Sequence, residues 1–372
     1  MRTLAANFKT PYSSRSMRLK IVFSFVLFAL IFNPFTAKSE HVEEGGDSTD
    51  IRAEIKEDIL HHLQDAHDFH LFTDETTGTH YSFPLPIILW DNGLKVFMSS
   101  KFHHGEEVAE VDGSYYVLYH NHIYKTDAEG TINYDENHHV TNAHPLDFSI
   151  TKSVFSVMVV SIIIFLLFKA LGDGYKNSAI PRGVGKFLEP LVLFVRDEIA
   201  IPNIGEKHYE KYMSYLLTVF VFIWFINLTG LTPLGINVTG NIAVTFALAL
   251  MTFIITQVSG KGYYWKHIFW MPGVPVPMKI ILAPIELLGV IIKPFALMIR
   301  LYANISAGHI VLMSLIGLLF IFNNWFARGA FLGLTLFLSI IELLVAFLQA
   351  YIFTMLTALY FGFAVEEHDE HH

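Results

Sequence analysis

Residues 278–323 read MKIILAPIELLGVIIKPFALMIRLYANISAGHIVLMSLIGLLFIFN. The run is far longer than the roughly 20 apolar residues that cross a bilayer once. It must therefore tilt, bend or continue beyond the lipid. Within it Glu286, Lys293 and Arg300 recur at intervals of seven, close to two helical turns, so they share one helix face. Ionisable groups in hydrocarbon are costly and mark ion paths or coupling devices. Arg300 lies too deep to reach water from either end, whereas Lys293 can snorkel to the nearer interface.

A second over-long apolar run, 330–365, follows the short connection 323–329 and carries Glu342 and, seven residues on, Gln349. The two runs read as antiparallel neighbours. With Gln349 level with Arg300, Glu342 comes level with His309, which is about 13 Å along the helix from the arginine. Glu286 lies about 21 Å from Arg300 in the opposite direction. Polar groups thus flank the arginine on both sides without forming a continuous wire. Arginine stays charged and does not relay protons. Two half-paths divided by a fixed cation suit a mechanism in which a moving partner carries the proton between them. Asn304, one turn from Arg300, and Gln349 can orient groups there. Asn304, Ser306, Ala307 and Gly308 offer a small-residue surface for close helix approach.

Three shorter apolar segments precede these, at 154–171, 212–228 and 242–258, giving five crossings. Lys169, Lys176, Arg182 and Lys186 follow the first, and Lys261 and Lys266 follow the third, so both loops read as cytoplasmic. The first segment then starts outside and the fifth ends inside, with residues 366–372 as a cytoplasmic tail. Residues 188–205 between the first two spans read as an interfacial helix and turn. Pro272, Pro275 and Pro277 break helix before the fourth span.

Composition agrees with a membrane protein: 53% hydrophobic residues, 16% charged, mean hydropathy +0.44. With no cysteine, disulfides and thiolate chemistry are excluded. The net charge of −9 conceals an asymmetry. Residues 38–150 hold 22 acidic and 6 basic residues, the wrong sign for nucleic acid. They also hold 13 of the 19 histidines, including His61, His62, His67, His70, His138 and His139, at spacings that match no tight metal motif. No metal or cofactor is expected. Within this acidic part, Tyr81 to Trp90 reads as extended. Tyr115 to Tyr124 and Thr131 to Tyr134 read as a strand pair around Asp127–Gly130. Ahead of it, Arg15, Arg18 and Lys20 precede an apolar run at 21–32 and the small residues Thr36 and Ala37. That order is a secretory signal cut after Ala37, with an uncleaved anchor as the alternative and Met17 as a possible start. The expected organisation is a signal at 1–37, an acidic, His-rich periplasmic extension at 38–147, a membrane domain at 148–365 and the tail. The fold class is an all-α membrane protein of five helices, the last two a long tilted antiparallel pair, plus that extension.

The stretch from Pro294 to His309, PFALMIRLYANISAGH, closely resembles the signature of subunit a of rotary F-type ATP synthases. The segment from Glu342 to Phe353, ELLVAFLQAYIF, is similar to that family's final helix, and Asn227 to Pro233, NLTGLTP, to a third motif. The resemblance covers about 148–365, in a form like that of Bacteroidetes with an extended exported N-terminus. It implies a non-catalytic, proton-conducting stator subunit in the bacterial inner membrane. The implied partners are a c-subunit ring, a b-subunit peripheral stalk, the other subunits of the complex and membrane lipid. Arg300 would face the ring carboxylate. His309 and Glu342 would be the outer half-channel pair, lined by Asn304 and Gln349, and Glu286 the inner carboxylate. Many bacterial members carry Glu first and His second; here the two are exchanged. A serine often found three positions after the inner carboxylate is Gly289 here. The competing reading, a self-contained ion channel or secondary transporter, requires repeats or a helix broken at mid-membrane. Neither is visible, and no nucleotide-binding P-loop is present.

Overall fold

A computed structural model describes residues 65–74, 79–105, 107–136, 139–177, 183, 185–232, 237–271, 273–322 and 324–366, all within one compact unit. The expected signal at 1–37, His61, His62, His138 and all of the tail beyond Glu366 lie outside these residues.

The N-terminal part is a β module. Strands β1 (Asp68–Asp74) and β2 (Thr79–Pro84) form one antiparallel pair. Strand β3 (Pro86–Trp90) lies between β4 (Leu94–Met98) and β8 (Leu146–Asp147). Strands β5 (Ala109–Val111), β6 (Ser114–Tyr119) and β7 (His122–Thr126) make a third sheet. Alternating side chains turn Ile87, Leu89, Phe97, Ala109, Val111, Tyr116 and Ile123 inward around Phe102. Asp91 ties this core to the surface, accepting hydrogen bonds from the Tyr116 hydroxyl (2.9 Å) and the Lys125 ammonium (2.8 Å).

The hairpin is not where the sequence places it. Tyr115 to Tyr124 folds back on itself at His120 and Asn121, whose φ values of 48° and 61° make the two-residue turn that matches strand twist. Asp127 to Gly130 closes a local turn instead, in which the Asp127 carboxylate accepts from the backbone N–H groups of Glu129 and Thr131. Tyr134 makes only a single bridge, to Val140.

The rest is helical. The elements are α1 (Lys152–Asn177), α2 (Gly185–Phe194), a π-helical turn at Val195–Ala200, α3 (Ile201–Ile204), α4 (Tyr209–Gly230), α5 (Ile242–Ser259), α6 (Gly262–Phe269), α7 (Val276–Ile321) and α8 (Trp325–Val365). Five of them, α1, α4, α5, α7 and α8, are long and apolar enough to cross a membrane. The 46 residues of α7 and 41 of α8 are about 69 Å and 62 Å long at the ordinary helical rise. Both exceed the roughly 30 Å of hydrocarbon twofold. Helix α7 begins at Pro275 and Pro277, where proline fits a first turn, and runs on through Pro284 and Pro294 in its interior. Helix α8 begins at Asn324, whose side chain accepts from the Phe326 N–H at 3.0 Å.

Residues 188–205 form the helix and turn expected, with one face packed on the bundle. Leu188, Val195, Ile199 and Ala200 are buried, and Ile199 and Ala200 join α4 and α8 in the main core. The π turn adds a residue to the helical repeat and so keeps these side chains on one inward face. Closure is tight: a side chain at Gly362 would meet the backbone carbonyl of Asn203.

Asp65 and Ala66 join the β module to the helices, and His67 ties the same segment back to β8. The Asp65 carboxylate accepts from the Thr151 hydroxyl (2.9 Å), the Ser153 N–H (2.9 Å) and the Asn241 side-chain amide (3.0 Å). His67 Nε2 lies 3.2 Å from Asp147 Oδ2. The Lys152 N–H donates to the Ala66 carbonyl at 2.9 Å.

Candidate functional site

The site sits where α7 and α8 cross. On α7, Leu297, Leu301, Ile305 and His309 recur every four residues and form its buried stripe. On α8, Glu342, Ala346, Gln349, Ala350 and Phe353 do the same. The stripes meet so that His309 Nδ1 lies 3.3 Å from Glu342 Oε1, both residues under 10% exposed. A carboxyl and an imidazole at this distance can pass a proton between them. Gly308 makes the approach possible, because a Cβ there would lie 2.5 Å from Glu342 Oε1.

Arg300 and Asn304, one turn apart, lie on the other side of α7, where both are exposed on the surface of the bundle. Among the described residues no hydrogen bond or ion pair joins either to Gln349 or to the buried pair. Gln349 is buried and close to the level of Arg300 by helical rise, but it belongs to the inward stripe of α8. The expected constellation is thus divided between an enclosed pair and an exposed cation.

Glu286 is half-buried on α7, near enough to Tyr264 of α6 to act on it electrostatically. Lys293 stacks over the rings of Tyr360 and Phe363, 5.6 Å and 5.8 Å from their centroids, near the end of α8. It borders a cavity of about 20 Å³ with Thr252, Thr256 and Tyr264, room for one water molecule.

In the sequence Asn227 stands out only as the first residue of the stretch NLTGLTP. In the structure it is 3% exposed and central to a polar bridge. Its amide donates to the Ala346 carbonyl (3.4 Å), and its oxygen accepts from the Thr239 hydroxyl (2.9 Å). Ala346 is one turn from both Glu342 and Gln349. Asparagine in the apolar run of α4 was the signal available; its partners, 12 and 119 residues away, were not. Among the described residues no cluster of three or more His, Cys, Asp or Glu could hold a metal ion.

These features define a polytopic membrane protein with an exposed arginine beside a buried carboxyl–imidazole pair. Residues 154–362 match the family model described as ATP synthase A chain, and the chain belongs to that family. Residues 58–148 match a model described as a domain of unknown function (DUF8433). Proteins named ATP synthase subunit a are similar to it. One from Anaeromyxobacter dehalogenans (strain 2CP-C) is 45% identical over 61% of this chain and 61% of its own length. One from Chloroherpeton thalassium is 40% identical over 64% of this chain and 78% of its own. One from Pelodictyon phaeoclathratiforme is 42% identical over 72% and 80%.

Proposed function

We propose that this chain is the proton-conducting stator subunit of a rotary ATP synthase. The reading rests on one observation. The fixed cation of the apolar core, Arg300, is exposed on the bundle surface, while the titratable pair His309 and Glu342 is enclosed about 13 Å along the same helix. In this reading a ring of c subunits passes Arg300 and presents a carboxyl to it. The guanidinium favours the deprotonated carboxylate, and the proton leaves or enters on either side. His309 and Glu342 exchange protons with the outer face. Asn304 lines that half-path from the exposed side of α7 and Gln349 from within, and Glu286 serves the inner half-path. Protons cannot pass Arg300 directly, so flow requires rotation. The chain makes no bond and breaks none; nucleotide chemistry belongs to other subunits, and a b-subunit stalk holds this one still.

The loop charges orient the chain with the β module in the periplasm and the end of α8 in the cytoplasm of a bacterial inner membrane. The domains are a signal at 1–37, the periplasmic module at 38–147, the proton-conducting domain at 148–365 and a tail at 366–372.

Replacing Arg300 with Ala in the assembled complex, reconstituted into vesicles, abolishes ATP-driven proton pumping in this reading. Normal coupled pumping by that variant overturns it.

A further inference from the structure

We propose that the periplasmic β module is a positioning element for the outer half-path, acting through Asp65. This rests on reading His309 and Glu342 as the outer proton-handling pair.

The inference follows a line of hydrogen bonds. Asp65 belongs to the β module, three residues before β1 and two before the buried His67. Its carboxylate satisfies the Ser153 N–H, a first-turn donor of α1 that has no partner within its own helix. It also holds the side-chain amide of Asn241. Asn241 is the N-cap of α5, its oxygen accepting from the Ala243 N–H at 3.0 Å. One carboxylate from outside therefore clamps the outer ends of two membrane helices.

The clamp continues inward. Asn241 closes a turn whose N–H donates to the Val238 carbonyl (3.0 Å), and the Asn237 side chain accepts from the Gly240 N–H (3.0 Å). Val238 and Thr239 in that turn are 0% and 1% exposed, wedged into the bundle. Thr239 holds Asn227, and Asn227 donates to the Ala346 carbonyl, in the helical turn between Glu342 and Gln349. Asn241 and Asn227 each use both the nitrogen and the oxygen of the side-chain amide on this line, so moving one end leaves a buried polar group unpaired further in. The cost of leaving a buried polar group unpaired makes the line stiff. The carboxylate of Asp65 thereby sets where the turn at 237–241 sits, and the turn sets the registry of α8 beside His309. A membrane subunit whose outer half-path needs an imidazole and a carboxyl within hydrogen-bond reach gains a fixed outer scaffold from such a clamp.

The test uses the complete complex in vesicles. ATP synthesis driven by protons entering from the periplasmic face is measured against the pH on that face for wild type, Asp65→Ala, Thr239→Val and the double variant. Hydrogen exchange of peptides covering 237–245 and 342–350 is followed in the same assemblies. Asp65→Ala slows proton entry by roughly three- to tenfold and displaces the pH profile, and Thr239→Val displaces it in the same direction. The double variant moves no further than the larger single change, because both act on one line. Exchange rises at 342–350 in both single variants. An Asp65→Ala profile that superimposes on wild type, with exchange altered only around residues 65–74 and 151–153, overturns the proposal. So does a double variant equal to the sum of the singles. Thr239→Val removes only a hydroxyl and keeps the side-chain shape, so it reports on the line even if Asp65→Ala assembles poorly. Normal pumping by Arg300→Ala instead removes the functional reading and leaves the exchange coupling between Asp65 and α8 to be judged by itself.

Discussion

His309 Nδ1 and Glu342 Oε1 stand 3.3 Å apart between α7 and α8. Replacing one partner alone strands the other. His309→Glu puts two carboxyls together, and Glu342→His puts two imidazoles together, each an arrangement that disfavours one ionised form. Each single variant is expected to lose at least about tenfold in ATP-driven pumping, and the double exchange to recover much of it, with a coupling of roughly 1–3 kcal/mol. Pumping rates of the four proteins check this. Equal loss in the double exchange refutes the pair as a unit.

Gly308→Ala is expected to leave the fold intact and impair pumping. The added methyl lies 2.5 Å from the Glu342 carboxyl oxygen, the far end of a side chain that can swing away. The cost falls on the geometry of the pair and not on the backbone. Unchanged assembly with a displaced pH profile for pumping is the predicted outcome; an unchanged profile contradicts it.

Gly362→Ala is expected to act in the opposite way. Its methyl meets the backbone carbonyl of Asn203, which cannot turn aside. Overpacking of this kind costs about 1–3 kcal/mol, felt as a lower midpoint of thermal unfolding for the purified subunit. Gly289→Ala is the control, since nothing lies within 4 Å of the added atom.

The Asp147 carboxyl links acid to the stability of the β module. Burial by itself raises its pKa, but hydrogen bonds from His67 and from the Ser149 hydroxyl and N–H, with the nearby imidazole charge, outweigh burial and bring it down to about 2. The ordinary carboxylate value is near 4. A lowered folded-state pKa stabilises above the unfolded value and is lost as pH falls through the folded one. The module should therefore lose on the order of 2 kcal/mol between about pH 4 and pH 2. Asp147→Asn should lack that contribution at pH 7 and show a flatter acid dependence. Hydrogen exchange at Leu89 and Trp90, which pair with β8, measures it. Identical acid profiles for the two proteins exclude the effect.

The five spans were legible because transfer of apolar side chains from water is local and roughly additive, so each segment announces itself. The α7–α8 pairing was legible for a related reason: a short connection makes two long helices neighbours, and a fixed rise per residue brings His309 level with Glu342. Other features were not. The hairpin went to His120 and Asn121 because strand twist selects a turn with two positive φ values, a choice made by the sheet and not by composition. The π turn at 195–200, within the helix expected at 188–205, leaves no mark on spacing alone.

By itself the sequence determined the number of spans, the unusual Arg300, and which polar residues occupy the apolar core, all of which follow from the cost of placing each side chain in hydrocarbon. Only the tertiary structure decided which of those residues meet. His309 and Glu342 touch, Arg300 and Asn304 turn outward, and Asp65, Thr239 and Asn227 line up toward Ala346. Directed contacts depend on the rotation of each helix about its axis, and packing against every neighbour fixes that rotation.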